Sequence, residues 1–204
     1  MIVYKNKKFI SNSEYPDTDW VGDADFVIPD GSELAEKIKR AYPYFEFVLN
    51  DDGNKIVDVV ATSEPIDKVI SQKKAELSAE CEKFIVAGVD VGDAHYSLTI
   101  EDQANILAWM AVAQTGKAVP YHSDGQPCRV YTADEFMKVA NAAVAYKTHH
   151  TTYCNLLMRQ VEKMTDTDEV KAVQYGMTQL EGEYAEQYQI IMASLVGDSG
   201  ETNN

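Results

Sequence analysis

From Thr132 to about Met164, apolar residues recur at helical spacing for the length of a long helix. Phe136, Val139, Ala140, Ala143, Tyr146, His150, Tyr153, Cys154, Leu157, Val161 and Met164 share one face, and the opposite face is polar. An isolated helix with one apolar face gains most of its stability from whatever covers that face. The remaining chain must therefore supply partners along the whole of this element.

How the helix begins is written in a pattern that occurs twice. His95-Tyr96-Ser97-Leu98 leads into Thr99-Ile100-Glu101-Asp102, and Arg129-Val130-Tyr131 leads into Thr132-Ala133-Asp134-Glu135. Each predicts a short strand that stops at a Thr N-cap, with an acidic side chain three residues on. The Thr oxygen accepts an orphan helix N–H, and the carboxylate sits at the positive end of the helix dipole. Between them, a helix from Ile100 to about Thr115 carries Ile106, Leu107, Trp109, Met110 and Val112 around most of its circumference, which predicts a central, largely buried element. Gly116 ends it. Val119-Pro120-Tyr121-His122 and Cys128-Arg129-Val130-Tyr131 then form a hairpin about Ser123-Asp124-Gly125.

Upstream, Ile2-Val3-Tyr4, Phe9-Ile10 and Phe26-Val27-Ile28 read as strands, and Ser32 starts a short helix that Pro43 stops. Phe45 to Leu49 and Lys55 to Val60 flank Asn50-Asp51-Asp52-Gly53-Asn54, a hairpin turn whose oxygens lack the spacing and distal Glu of a calcium loop. An amphipathic helix over 66–87, with Ile66, Ile70, Leu77, Cys81 and Phe84 on one arc, stops at Gly88. The expected class is α+β. A small strand-rich module, 1–62, precedes a connecting helix, 63–88, and a mainly helical domain with short hairpins, 89–164. A C-terminal helix, 165–196, follows, with a disordered tail over 197–204.

The C-terminal helix carries Val170, Val173, Met177, Leu180, Tyr184 and Ile191 at alternating spacings of three and four, with a polar skip at Gln187. This stripe suits a helical hairpin packed on the long helix, or a coiled coil. Because 29 helical residues extend about 44 Å, part of it is expected to meet another protein, and these six residues are the candidate partner-binding set. From 165 onward Lys171 is the only basic residue, so a parallel copy would be repelled.

A formal charge of −15 with 18 Lys and Arg among 204 residues disfavours nucleic-acid binding. No apolar run approaches the roughly 20 residues needed to cross a bilayer, and Met1-Ile2-Val3-Tyr4 runs into a polar turn instead of a signal-peptide core. A cytosolic chain is expected. Its three cysteines, Cys81, Cys128 and Cys154, are odd in number and widely spaced, poor material for a disulfide framework.

His122 and Cys128 on the hairpin, with His150 and Cys154 one turn apart on the long helix, make a two-Cys, two-His set that zinc could use to staple hairpin to helix. The favoured alternative makes His150 and Cys154 core residues, because both lie within the apolar stripe. Gly197-Asp198-Ser199-Gly200 resembles the surroundings of a serine nucleophile but has no strand framework around it. Tyr4, Tyr15, Trp20, Tyr42 and Tyr44 could complete a small core or form a binding patch. No catalytic residue and no cofactor are assigned.

His95 to Gln103, Tyr121-His122-Ser123-Asp124-Gly125 and Cys128 to Phe136 together resemble a domain of unassigned function found in tail and tail-fibre gene modules of bacteriophages and prophages, over residues 66–164. Ala24 to Ile28, Tyr42-Pro43 and Phe45 to Leu49 before Asp52-Gly53 are similar to short phage proteins encoded beside tail fibres. The resemblance implies a non-enzymatic tail, baseplate or fibre-attachment component that works through protein–protein contacts. Its partners would be other tail or fibre proteins, with a homo-oligomer as an open alternative. It would occupy the host cytoplasm during assembly and the virion tail afterwards. The same gene setting also admits a tail-fibre assembly chaperone absent from the mature virion, and a zinc-stapled binding module is the third alternative.

Overall fold

A computed structural model describes residues 2–6, 8–12 and 25–197. Tyr15, Trp20 and the 198–204 ending, Ser199 included, lie outside these residues. The chain divides into two compact units, Met1–Pro65 and Ile66–Asn204, and the class is α+β.

In the first unit, β1 (Ile2–Lys5) is the central strand of an antiparallel sheet, between β2 (Lys8–Asn12) and β3 (Phe26–Ile28). Ser32 accepts from Ala35 N at 3.1 Å and starts α1 (Glu33–Ala41). The hairpin of β4 (Phe45–Leu49) and β5 (Ile56–Ala61) turns about Asn50. The Asn50 Oδ1 accepts from Asn54 N at 3.0 Å and Lys55 N at 2.9 Å, so the oxygen a cation would need closes the turn instead. Ile2, Tyr4, Ile28, Ala35, Ile38 and Ile56 form the core, ringed by Phe9, Phe26, Phe45 and Phe47. Tyr4 is thus a core residue. Tyr42 is exposed, and Tyr44 donates to Glu64 at 2.6 Å.

The second unit is built on α2 (Ile66–Ala87) and α4 (Ala133–Val161), the helix pair that makes the most extensive contact. Between them in sequence come the hairpin of β6 (Val89–Val91) and β7 (Ala94–Tyr96), then α3 (Ile100–Ala113), then the hairpin of β8 (Val119–Tyr121) and β9 (Arg129–Tyr131). Thr99 and Thr132 each form a full capping box, with Asp102 and Glu135. Gly88 turns the chain off α2 at φ +91°, and a Cβ there would lie 2.2 Å from the Tyr96 carbonyl oxygen.

Two clusters fill this unit. Tyr96, Leu98, Ile106, Val119, Tyr121, Tyr131, Phe136, Val139 and Ala140 pack where both hairpins meet α3 and the first half of α4. Val69, Leu77, Leu157, Val161, Val170 and Val173 pack where α2 crosses the second half of α4.

Two expectations need correction. Of the apolar residues expected to bury α3, Ile106 is buried, but Leu107 is 58% exposed and Ile100, at the helix start, is 73% exposed. The helix packs chiefly on α4 and β8 and is covered on one side only. The C-terminal stretch is also not one helix. α5 (Thr167–Ala172) stops where Val173 turns extended at ψ 130°, Gly176 takes φ +77°, and α6 (Gly182–Gly197) starts afresh. Burying Val173 and its neighbour Tyr175 against α2 and α4 draws the backbone off the helical path that its apolar spacing suggests.

Candidate functional site

The four zinc candidates do not form a site. His122 and Cys128 are exposed on the β8–β9 hairpin, while His150 and Cys154 are buried on α4. Among the described residues no three His, Cys, Asp or Glu side chains converge as ligands. The Tyr175 hydroxyl lies 2.9 Å from His150 Nδ1 and donates to the His150 carbonyl at 3.3 Å, an arrangement satisfied when Nδ1 carries the ring proton. Burial holds the His150 pKa down, and burial pushes the Cys154 thiol up to about 12. Both groups are neutral, as core residues are.

A second titratable cluster sits where the chain leaves α2. His95 Nδ1 lies 2.6 Å from Asp90 Oδ1, and its Nε2 lies 2.7 Å from the Ala87 carbonyl oxygen. Both ring nitrogens face acceptors, so the imidazolium is the matched form, and the Asp90 contact first, then the Ala87 carbonyl, raise its pKa. Across the turn, Asp124 accepts from Ser97 N at 3.1 Å and from Ser97 Oγ, which holds its pKa down. Ser97 thus donates to the Asp124 carboxylate from both its backbone N–H and its hydroxyl. These four side chains tie the two hairpins to the last carbonyl of α2.

A cluster of rings binds the C-terminal segment to α4. Tyr175 packs on His150, Phe84 and Tyr153, and the Tyr153 hydroxyl donates to the Thr178 carbonyl at 2.5 Å. His149 Nδ1 hydrogen-bonds the Tyr188 hydroxyl of α6. His149, Tyr175 and Tyr188 were not among the expected site residues. The pair of polar rings at 149 and 150 inside an apolar stripe, with tyrosines downstream, is the signal that points to them.

This packing divides the candidate partner-binding set. Val170 and Val173 are buried within the unit and cannot meet another protein without its opening. Leu180, Tyr184 and Ile191 are half-buried, whereas Met177 is 78% exposed. Ile190, absent from the expected set, is 70% exposed.

The face left bare by α3 is the more developed surface. Ile100 and Leu107, two helical turns apart, are both exposed, and Leu107 shares a hollow with the exposed Val144 of α4. Below them lie two hollows. One of about 200 Å³ is lined by Leu98, Ile106, Leu107, Ala143, Val144 and Thr148. The other, about 280 Å³, runs between α2 and α4 over Ile85, Val86, Cys81, Cys154 and Met158. Gln103 and Lys147 line both, so the hollows adjoin. The Gln103 amide is spent on the Leu98 carbonyl at 2.8 Å. The result is a trough, apolar on its α3 side, with Lys147 shared by both hollows and Glu82, Ser78, Thr151 and Asn155 bordering the second.

Residues 69–175 match a family described as a domain of unknown function, DUF4376. The chain belongs to that family. The DUF4376 match begins at Val69, one of the buried positions of α2, and ends at Tyr175, the residue that closes on His150. It thus takes in α5 and excludes α6. No curated protein and no solved structure matches the chain.

Proposed function

We propose that this chain is a non-enzymatic, tail-associated structural protein of a bacteriophage, a tail, baseplate or fibre-attachment component that acts through protein–protein contacts. The observation that carries this reading is the trough between α3 and α4. Ile100, Leu107 and Val144 expose apolar surface that the fold does not cover, over hollows whose charged lining residues are Lys147 and Glu82. The resemblance of residues 66–164 to phage tail modules supplies the setting, and the two-unit layout suits a connector. Titratable pairs that resemble chemistry, such as His95 with Asp90, are used to hold turns. The occupant of the trough would be an apolar segment of a tail or fibre protein bearing an acidic side chain for Lys147.

Mass spectrometry of purified particles tests this. The chain is expected at stoichiometric levels, and Leu107→Asp is expected to abolish its incorporation without lowering its melting temperature. Presence in the lysate with absence from particles would overturn the structural role in favour of an assembly chaperone. A zinc-stapled module draws no support from the placement of His122 and Cys128.

A further inference from the structure

Cys81 on α2 and Cys154 on α4 stand at the crossing of the two longest helices, and their hydrogen bonds are reciprocal. Cys81 Sγ donates to the carbonyl of His150 at 3.4 Å, and Cys154 Sγ donates to the carbonyl of Leu77 at 3.5 Å. Each thiol therefore reaches the carbonyl four residues before the other cysteine. The one proton of each thiol is thus committed to a carbonyl of the facing helix, and the charge of one thiolate would oppose that of the other. A helix pair can bring side chains this close only where small residues sit at the crossing. No charged side chain separates them. Both cysteines line the same open hollow, together with Ser78, Glu82, Lys147, Thr151 and Asn155, so they border a surface opening and not a sealed core.

We infer that Cys81 and Cys154 are an oxidisable dithiol pair that closes to a disulfide and fastens α2 to α4. The oxidant required is a low-molecular-weight disulfide. One cysteine thiolate attacks a sulfur of the reagent, forming a mixed disulfide and expelling one thiolate. The second cysteine then attacks the protein-side sulfur and expels the other. The cysteines together lose two protons and two electrons, and the reagent leaves as two thiols. To bond, the sulfurs must leave their carbonyl partners and close to about 2.05 Å. Burial that keeps the Cys154 thiol protonated makes the exchange slow. The bond spans residues 81 to 154, so it would restrict a large part of the unfolded chain. On the particle role proposed above, the pair would pass from a reducing cytoplasm, where thiols persist, to an oxidising exterior.

The test uses the full chain with Cys128→Ser, which removes the one exposed thiol, incubated for a day with glutathione disulfide at neutral pH. The expected product is lighter by two hydrogens, yields a peptide linking Cys81 to Cys154, and melts about 5–10 °C higher. Dithiothreitol should reverse all three. Adding Cys154→Ser should abolish the linked peptide and the rise in melting temperature. Unchanged mass with both thiols alkylated after denaturation would overturn the inference, as would a mixed disulfide that never closes. Since the protein is tested alone, either failure leaves the particle role to be judged separately.

Discussion

The side-chain amide of Gln160 binds the backbone at Glu181 as a neighbouring strand would. Its Oε1 accepts from Glu181 N at 2.9 Å, and its Nε2 donates to the Gln179 carbonyl at 3.2 Å. One buried side chain near the end of α4 thus holds the segment that leads into α6. Gln160→Leu should cost about 1–3 kcal/mol, since it strands a backbone N–H and a carbonyl in a part-buried site. Urea denaturation would measure the loss. Limited proteolysis should then cut between Gly176 and Gly182, where the wild type resists.

Shortening the chain from its C-terminus should give two distinct results. Ending it after Met164 removes Val170 and Val173 from the cluster around Leu77, Leu157 and Val161. At about 1.5–3 kcal/mol for each buried valine, that loss is expected to unfold the second unit or nearly so. Ending it after Glu181 keeps both valines, Tyr175 and the Gln160 contacts, and should leave a cooperative unfolding transition. Circular dichroism melts of the two truncations would distinguish them.

The histidines should give stability a maximum near pH 6.5. For His95 the folded pKa is raised above the ordinary 6.5, chiefly by Asp90. Its contribution is complete below that value and is lost as pH rises through the folded pKa. For His149 and His150 burial lowers the folded pKa, so their contribution is present above 6.5 and is lost as pH falls. Denaturation midpoints between about pH 5 and 8.5 should fall on both sides. His95→Gln should flatten the alkaline limb alone, and a limb that stays unchanged would dismiss the Asp90 contact.

Adjacent positions on α3 should respond in opposite ways. Ile106 is buried in the cluster around Phe136, so Ile106→Ala should cost about 2–5 kcal/mol. Leu107→Ser should fall within about 0.5 kcal/mol of wild type. If Leu107→Ser destabilises as much as Ile106→Ala, the trough is core and not a docking surface.

Much of the fold is announced by local chemistry. Ser32, Thr99 and Thr132 start helices because their hydroxyls meet orphan N–H groups, and Asn50 with Gly53 turns a hairpin, all of which depends on neighbours in sequence. Which apolar faces are covered does not depend on neighbours. Leu107 and Ile106 are equally apolar, and only the position of α4 decides that one is buried. The C-terminal stripe misled for a related reason. Val170, Val173, Met177 and Leu180 keep helical spacing through a segment that Gly176 and the pull of Tyr175 on His150 take out of the helix. The Cys81–Cys154 contact was hidden by separation, since 72 residues intervene and nothing near either one marks the other.

Gly88 gives the second unit a position with no acceptable neighbour in the genetic code. Any Cβ there meets the Tyr96 carbonyl at 2.2 Å and Ser97 Cα at 2.7 Å, both backbone, and the φ of +91° disfavours every L side chain in addition. At Gly92, Gly116 and Gly125 the same added carbon meets nothing within 4 Å. A library randomised at each of these four codons and sorted for soluble expression should therefore return Asn and Asp at the last three, and at 88 only synonymous triplets. Where the other three turns have room for a side chain, this codon is bound by the width of one methyl group.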